Sequence, residues 1–139
     1  MVPRSSWLAD APQPATTDSF QFPDLVVLDL ANNHQGSVTH GKKIIDACAS
    51  FQDTFQLRVA TKFQFRDLDR FIHFSERQAQ APSKYVKRFL ETELSLAEFE
   101  ILQGYARDRD LLVGCTPFDE ASVENVERLE FDFLKIASA

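Results

Sequence analysis

Four short apolar runs, each separated from the next by enough residues for a helix, constrain this chain more than any other feature. They are residues 25–31, 57–64, 111–115 and 133–137. Leu25-Val26-Val27-Leu28-Asp29-Leu30-Ala31 is nearly continuous in apolar residues, the pattern of a strand covered on both faces. The intervening segments carry helical signals. Ser37 is placed to cap a helix in which Val38, Gly41, Ile45 and Cys48 recur at helical spacing. Ser95-Leu96-Ala97-Glu98 is a capping box, Leu94 and Phe99 are spaced as a hydrophobic staple, and Phe99, Leu102 and Ala106 share a face. Val123, Val126 and Leu129 make an inward stripe in the last helix. Lys84–Thr92 reads as a short helix and 65–81 as a polar, charged loop.

The order β-α-β-α-β-α-β predicts an α/β fold with a parallel sheet and right-handed crossovers. Two architectures answer to it: a doubly wound open sheet, or the first half of a TIM (β/α)8 barrel. A complete barrel needs about 250 residues, and this chain has 139. On the barrel reading it is a fragment, with a flexible leader over 1–23, rich in proline, and the N-terminal half of the barrel over 24–139.

Charge and composition exclude several classes. The formal net charge is −6 with no basic stripe, which argues against nucleic acid and anionic membrane surfaces as partners. No apolar run approaches the ~20 residues that span a bilayer, and the N-terminus has no signal-peptide core. Cys48 and Cys115 belong to no CxxC pair and read as reduced thiols of a cytoplasmic protein.

Ligands of parallel α/β folds bind beyond the C-terminal ends of the strands. The unusual polar residues all map there. Asp29 lies inside the first run, and Asn32-Asn33-His34-Gln35-Gly36 follows it. Lys62 and Gln64 share a face at the end of the second. Thr116-Pro117-Phe118-Asp119 follows the third, and Lys135 and Ser138 close the fourth. Lysine is seldom buried without a partner anion. Two lysines at strand ends, with the hydroxyls of Thr116 and Ser138, predict a site for a small, strongly anionic substrate.

Each residue also has a plainer role open to it. Thr116 could be a helix N-cap followed by proline at the first helical position. Lys62 could pair with Asp29 as a structural ion pair, and Lys135 could reach to solvent. His34 could be a hydrogen-bonded turn residue. The charged loop 66–77 could be a solvated surface or a cover for the site. His34, His40 and His73 have no metal-ligand spacing.

These residues carry a family resemblance. Asp29-Leu30-Ala31-Asn32-Asn33-His34-Gln35-Gly36, Lys62-Phe63-Gln64, Thr116-Pro117-Phe118-Asp119 and Lys135-Ile136-Ala137-Ser138 resemble, in order, the first four strand motifs of the sialic acid synthase family. The resemblance implies a TIM-barrel enzyme that condenses phosphoenolpyruvate with N-acetylmannosamine or a related acylated amino sugar. A nine-carbon 2-keto sugar acid forms and phosphate is released. It implies that Lys62, Thr116, Lys135 and Ser138 hold phosphoenolpyruvate, that Gln64 places the sugar, and that Asn33 and His34 shape the floor. Asp29 occupies the catalytic position where the family usually carries Glu. The family also implies a divalent metal, manganese or magnesium, on ligands that this chain lacks, and a homodimer of the full-length form. A fragment of this kind is expected to be inactive alone. Two other readings stay open from the residues: an aldolase barrel forming a Schiff base on Lys62 or Lys135, and a non-catalytic anion-binding fragment.

Overall fold

A computed structural model describes residues 20–80 and 82–138. The elements are β1 (Leu25–Asp29), α1 (Val38–Phe55), β2 (Arg58–Phe65), α2 (Leu68–Phe71), α3 (Phe74–Arg77), α4 (Lys84–Glu91), α5 (Leu96–Arg107), β3 (Leu112–Pro117), α6 (Glu120–Arg128) and β4 (Phe133–Leu134). All neighbouring strands pair parallel, in the order β1-β2-β3-β4. A doubly wound sheet reverses its strand order beside the first strand. A sequential order keeps every right-handed crossover on one side. The sheet is therefore singly wound, the arrangement of the first half of a (β/α)8 barrel.

The core lies between the sheet and α1, α5 and α6. Leu30, Val59, Phe63, Val113 and Cys115 from the strand side meet Ile45, Cys48, Leu102, Ala106 and Val126 from the helices. Phe63 is fully enclosed, a burial worth about 1.5–3 kcal/mol. The opposite face is more open: Val27 is 40% exposed there. It is covered in part by an aromatic cluster. Phe133 packs against Phe20 and Phe22, with ring centroids 5.3 and 5.7 Å away. The Phe133 ring also lies so close to Gly114 that a Cβ there would meet it at 2.2 Å. Of the leader, residues 1–19 lie outside the described residues. Phe20–Pro23 lie within them, and the Arg58 guanidinium donates to the Gln21 carbonyl.

Local chemistry explains the helix boundaries. Ser37 accepts from the His40 N–H at 3.2 Å and starts α1. Gly41, Ile45 and Cys48 form its buried stripe. The capping box of α5 is complete: Glu98 accepts from the Ser95 N–H, and Ser95 accepts from the Glu98 N–H. Leu94 and Phe99 are both buried. Gly36, at φ +68°, sits where a Cβ would come within 2.9 Å of the Glu91 carbonyl, so the turn after β1 can lie against the end of α4 only with glycine.

Four local expectations are corrected. Thr116 is not a helix cap. It belongs to β3, paired with Gln64, and Pro117 pairs with Phe65. Asp119 caps α6 instead, accepting from the Ser122 N–H at 2.7 Å. Val123 is 43% exposed, whereas Val126 and Leu129 turn inward. Residues 65–81 include two one-turn helices, α2 and α3, capped by Asp67 and His73. The fourth strand is shorter than its apolar run: pairing ends at Leu134. Residues 135–138 continue as irregular chain, tied to β3 by one bond from the Lys135 N–H to the Cys115 carbonyl at 2.8 Å.

Candidate functional site

Parallel pairing sets Asp29 beside Lys62, and Lys62 beside Gly114. Residues at one level of a sheet point to the same face. Asp29 and Lys62 thus meet on the face away from the helices, and the glycine beside them on the third strand is covered by the Phe133 ring. Lys62 Nζ lies 2.9 Å from Asp29 Oδ2 and 3.3 Å from Thr116 Oγ1. The Lys62 side chain is 11% exposed, that of Asp29 48%. An ammonium group so enclosed needs fixed partners to offset its lost hydration, and it has two. The structural ion pair open from the sequence is present, and it stands inside the expected site.

The backbone reinforces this position. The Lys62 carbonyl accepts from Leu30 N–H at 2.9 Å and Ala31 N–H at 3.4 Å. Ala31 takes a left-handed conformation, φ +42°, which costs an alanine about 1–2 kcal/mol. That bend carries 31–36 over the end of β2.

Lys135 and Ser138 also meet: Nζ donates to Oγ at 3.2 Å. Both are exposed. Among the described residues no hydrogen bond joins this pair to Lys62, so the two lysines form separate groups.

A depression opens at the same end of the sheet. Asn32, His34, Gln64, Arg66, Thr92 and Glu93 line it, over an apolar floor that includes Leu94 and Phe99. Gln64 thus faces the depression, while Lys62, Thr116, Lys135 and Ser138 lie outside its lining. Asn33 is exposed and outside it too, whereas its neighbours Asn32 and His34 turn in. His34 is buried, with its ring edge against Phe99 at 5.9 Å. Its Nδ1 accepts from the Gly36 N–H at 3.1 Å, so the neutral ring carries its proton on Nε2. Burial, aided by His40, pushes the imidazole below its ordinary range, against the opposing pull of Glu98.

Sequence reasoning missed Arg66. Its guanidinium stacks over Phe118 at 3.8 Å and Phe89 at 4.8 Å. It donates to Gln64 Oε1 at 2.9 Å. The signal available was Phe118, inside a motif already singled out. Asp119 was singled out only as the last residue of the Thr116–Asp119 motif. Its second oxygen accepts from the Asp67 N–H at 2.8 Å and ties the turn after β2 to the turn after β3.

Two chemistries find no support here. Burial pushes the Cys115 thiol up to about 12, which leaves it protonated and a poor nucleophile. Among the described residues no three His, Cys, Asp or Glu side chains gather as a metal site. The described residues therefore offer no ligand set for a manganese or magnesium ion. No described helix is long and apolar enough to cross a membrane.

Comparison with known proteins agrees with this geometry. Residues 54–139, more than half the chain, match the model of the NeuB family. That span includes the second, third and fourth strand motifs. The chain is 26% identical over 125 residues to the N-acetylneuraminate-9-phosphate synthase of Mus musculus, covering 85% of this chain and 33% of that protein. Among solved structures it is similar to one from Chromobacterium violaceum assigned as spore coat polysaccharide biosynthesis protein E. That match has TM-score 0.77 and 38% identity, over 83% of this chain and 34% of the other. The N-acetylneuraminic acid synthetase of Leptospira borgpetersenii serovar Hardjo-bovis shares the fold, with TM-score 0.62 and 22% identity, over 81% of this chain and 35% of the other. The chain spans about a third of the length of each of these three relatives.

Proposed function

This chain belongs to the NeuB family, and from that premise we propose that it carries the phosphoenolpyruvate subsite of a sugar-acid synthase. The reaction joins the methylene carbon of phosphoenolpyruvate to the open-chain aldehyde of N-acetylmannosamine or a related acylated amino sugar. The aldehyde oxygen takes up a proton, water adds at the enol carbon, and phosphate leaves to give the nine-carbon 2-keto acid. The full protein works as a (β/α)8 barrel in this reading, in the cytoplasm and as a homodimer. Any metal it uses is held by residues outside those described.

The observation that carries the proposal is the Lys62 group. An ammonium that is 11% exposed, held between a carboxylate and the Thr116 hydroxyl, is a preorganised positive charge at a strand end. Such a charge orients an arriving anion and stabilises a departing phosphate. Lys135 and Ser138 supply a second, more exposed grip. Asp29 touches Lys62 and is half exposed, so its carboxylate can take the proton of the entering water. His34 and Gln64 serve the sugar side, with Asn32 in the lining as well and Asn33 exposed beside it.

A Schiff-base aldolase is less favoured. A nucleophilic amine must present a free lone pair to a carbonyl; Lys62 is committed to Asp29 and Thr116, and Lys135 is exposed, without the apolar pocket that activates such an amine. The test is phosphate release by the full-length protein from phosphoenolpyruvate, with and without N-acetylmannosamine. Sugar-dependent release is expected. Borohydride trapping of pyruvate on Lys62 or Lys135, without such release, would establish the aldolase instead.

A further inference from the structure

A further cationic group at this end of the sheet, Arg66, is built unlike Lys62. Its ring partners Phe118 and Phe89 hold the guanidinium plane, and Gln64 takes one N–H. Its Nε is buried and has no acceptor. Among the described residues no carboxylate lies within ion-pair distance of it. Asp119 is the acid whose field reaches it, but both Asp119 oxygens already accept backbone N–H groups, from Asp67 and Ser122. A partly buried guanidinium is costly without an anion. Its fork of N–H groups matches the paired oxygens of a carboxylate or phosphate.

Arg66 lines the depression with Asn32, Gln64 and Thr92, neutral groups suited to hydroxyls and amides. Lys62 and Thr116 are not in that lining, and Gln64 stands between Lys62 and Arg66 along β2. We propose that Arg66 is a specificity residue of the sugar side: it receives an oxyanion, phosphate or carboxylate, borne by the acceptor sugar. The proposal rests on the synthase reading of the preceding subsection. The apolar floor at Leu94 and Phe99 suits an acyl methyl group. Glu93, on the rim, is exposed, so solvent and salt screen its repulsion of an anion.

The test is calorimetric titration of the full-length protein in the presence of phosphoenolpyruvate. The probes are N-acetylmannosamine, its 6-phosphate and N-acetylmannosaminuronate. At least one charged sugar should bind about tenfold or more tightly than the neutral one, and which of them does so identifies the oxyanion. Arg66→Gln should abolish that preference and Arg66→Lys should retain part of it, with phosphoenolpyruvate affinity changed by less than about twofold in both. Equal binding of all three sugars by the wild type overturns the proposal without recourse to any variant. So does a preference that survives in Arg66→Gln. The synthase reading fails separately, if phosphoenolpyruvate itself does not bind or no sugar elicits phosphate release.

Discussion

Lys62 and Lys135 carry the same charge after neighbouring parts of the sheet, yet the fold treats them differently. Lys62 lies on a strand paired on both sides, with a carboxylate and a hydroxyl at hydrogen-bond distance and 11% of its side chain exposed. Lys135 lies just past a two-residue strand, exposed, with Ser138 as its contact. Position within the sheet, more than residue type, decides whether a charge is preorganised. Among the described residues, a strand paired on both sides fixes Lys62 from both flanks, while Lys135 follows the last paired strand and has Ser138 as its contact.

Substituting the two lysines breaks the comparison most directly. Lys62→Ala leaves Asp29 without its cation and the buried Thr116 hydroxyl without its donor. A loss of about 1–3 kcal/mol in unfolding free energy is expected, read from urea melts. Phosphoenolpyruvate affinity should fall by more than about tenfold, the effect of one charge-assisted bond. Lys135→Ala should weaken phosphoenolpyruvate by no more than about tenfold, with stability changed by less than about 0.5 kcal/mol. Equal stability losses in the two variants would remove the distinction.

A smaller effect concerns His34, on the depression side. Burial holds its imidazole below the ordinary 6.5, so the folded state resists the proton that the unfolded state accepts. The stabilisation is complete above pH 6.5 and is lost progressively as pH falls toward the lowered native value, at no more than about 1.4 kcal/mol per pH unit. His34→Asn keeps an acceptor for the Gly36 N–H and should flatten that part of the stability–pH curve. An unchanged slope would assign the acid sensitivity elsewhere.

The smallest expected effect is at Ala31, which bends the chain over the Lys62 end at φ +42°. Ala31→Gly relieves about 1–2 kcal/mol of strain but gives back part of it in unfolded-chain entropy. A net gain of about 0.5 kcal/mol is expected in thermal melts, with Lys135→Ala unaffected by the change. A loss would show that Ala31 is held by packing its methyl group.

The sequence made the helix-facing half of this molecule readable, because burial writes itself as apolar periodicity. Gly41, Ile45 and Cys48 on α1, and the Ser95–Glu98 box, stand where their pattern placed them. Three kinds of feature were hidden. Competition between local and sheet preferences decided Thr116, whose Thr-Pro context suits a cap but whose pairing with Gln64 keeps it in β3. One-turn helices such as α2 are too short for a period to show. Long-range assembly hid Arg66, since Phe89 and Phe118 come from separate elements and only the fold brings them to its ring plane. The Lys62–Asp29 pair could be anticipated because both residues lie in strands that the apolar runs marked.

The central claim is that the Lys62 group is a dedicated phosphoenolpyruvate subsite and not a generic anion contact. Calorimetric titration of the full-length protein with phosphoenolpyruvate and with sulfate, in wild type and Lys62→Ala, tests it most directly. The account expects wild type to prefer phosphoenolpyruvate by about tenfold or more, and Lys62→Ala to lose most of that preference. Equal affinity for sulfate, or a preference unaltered in Lys62→Ala, would contradict it.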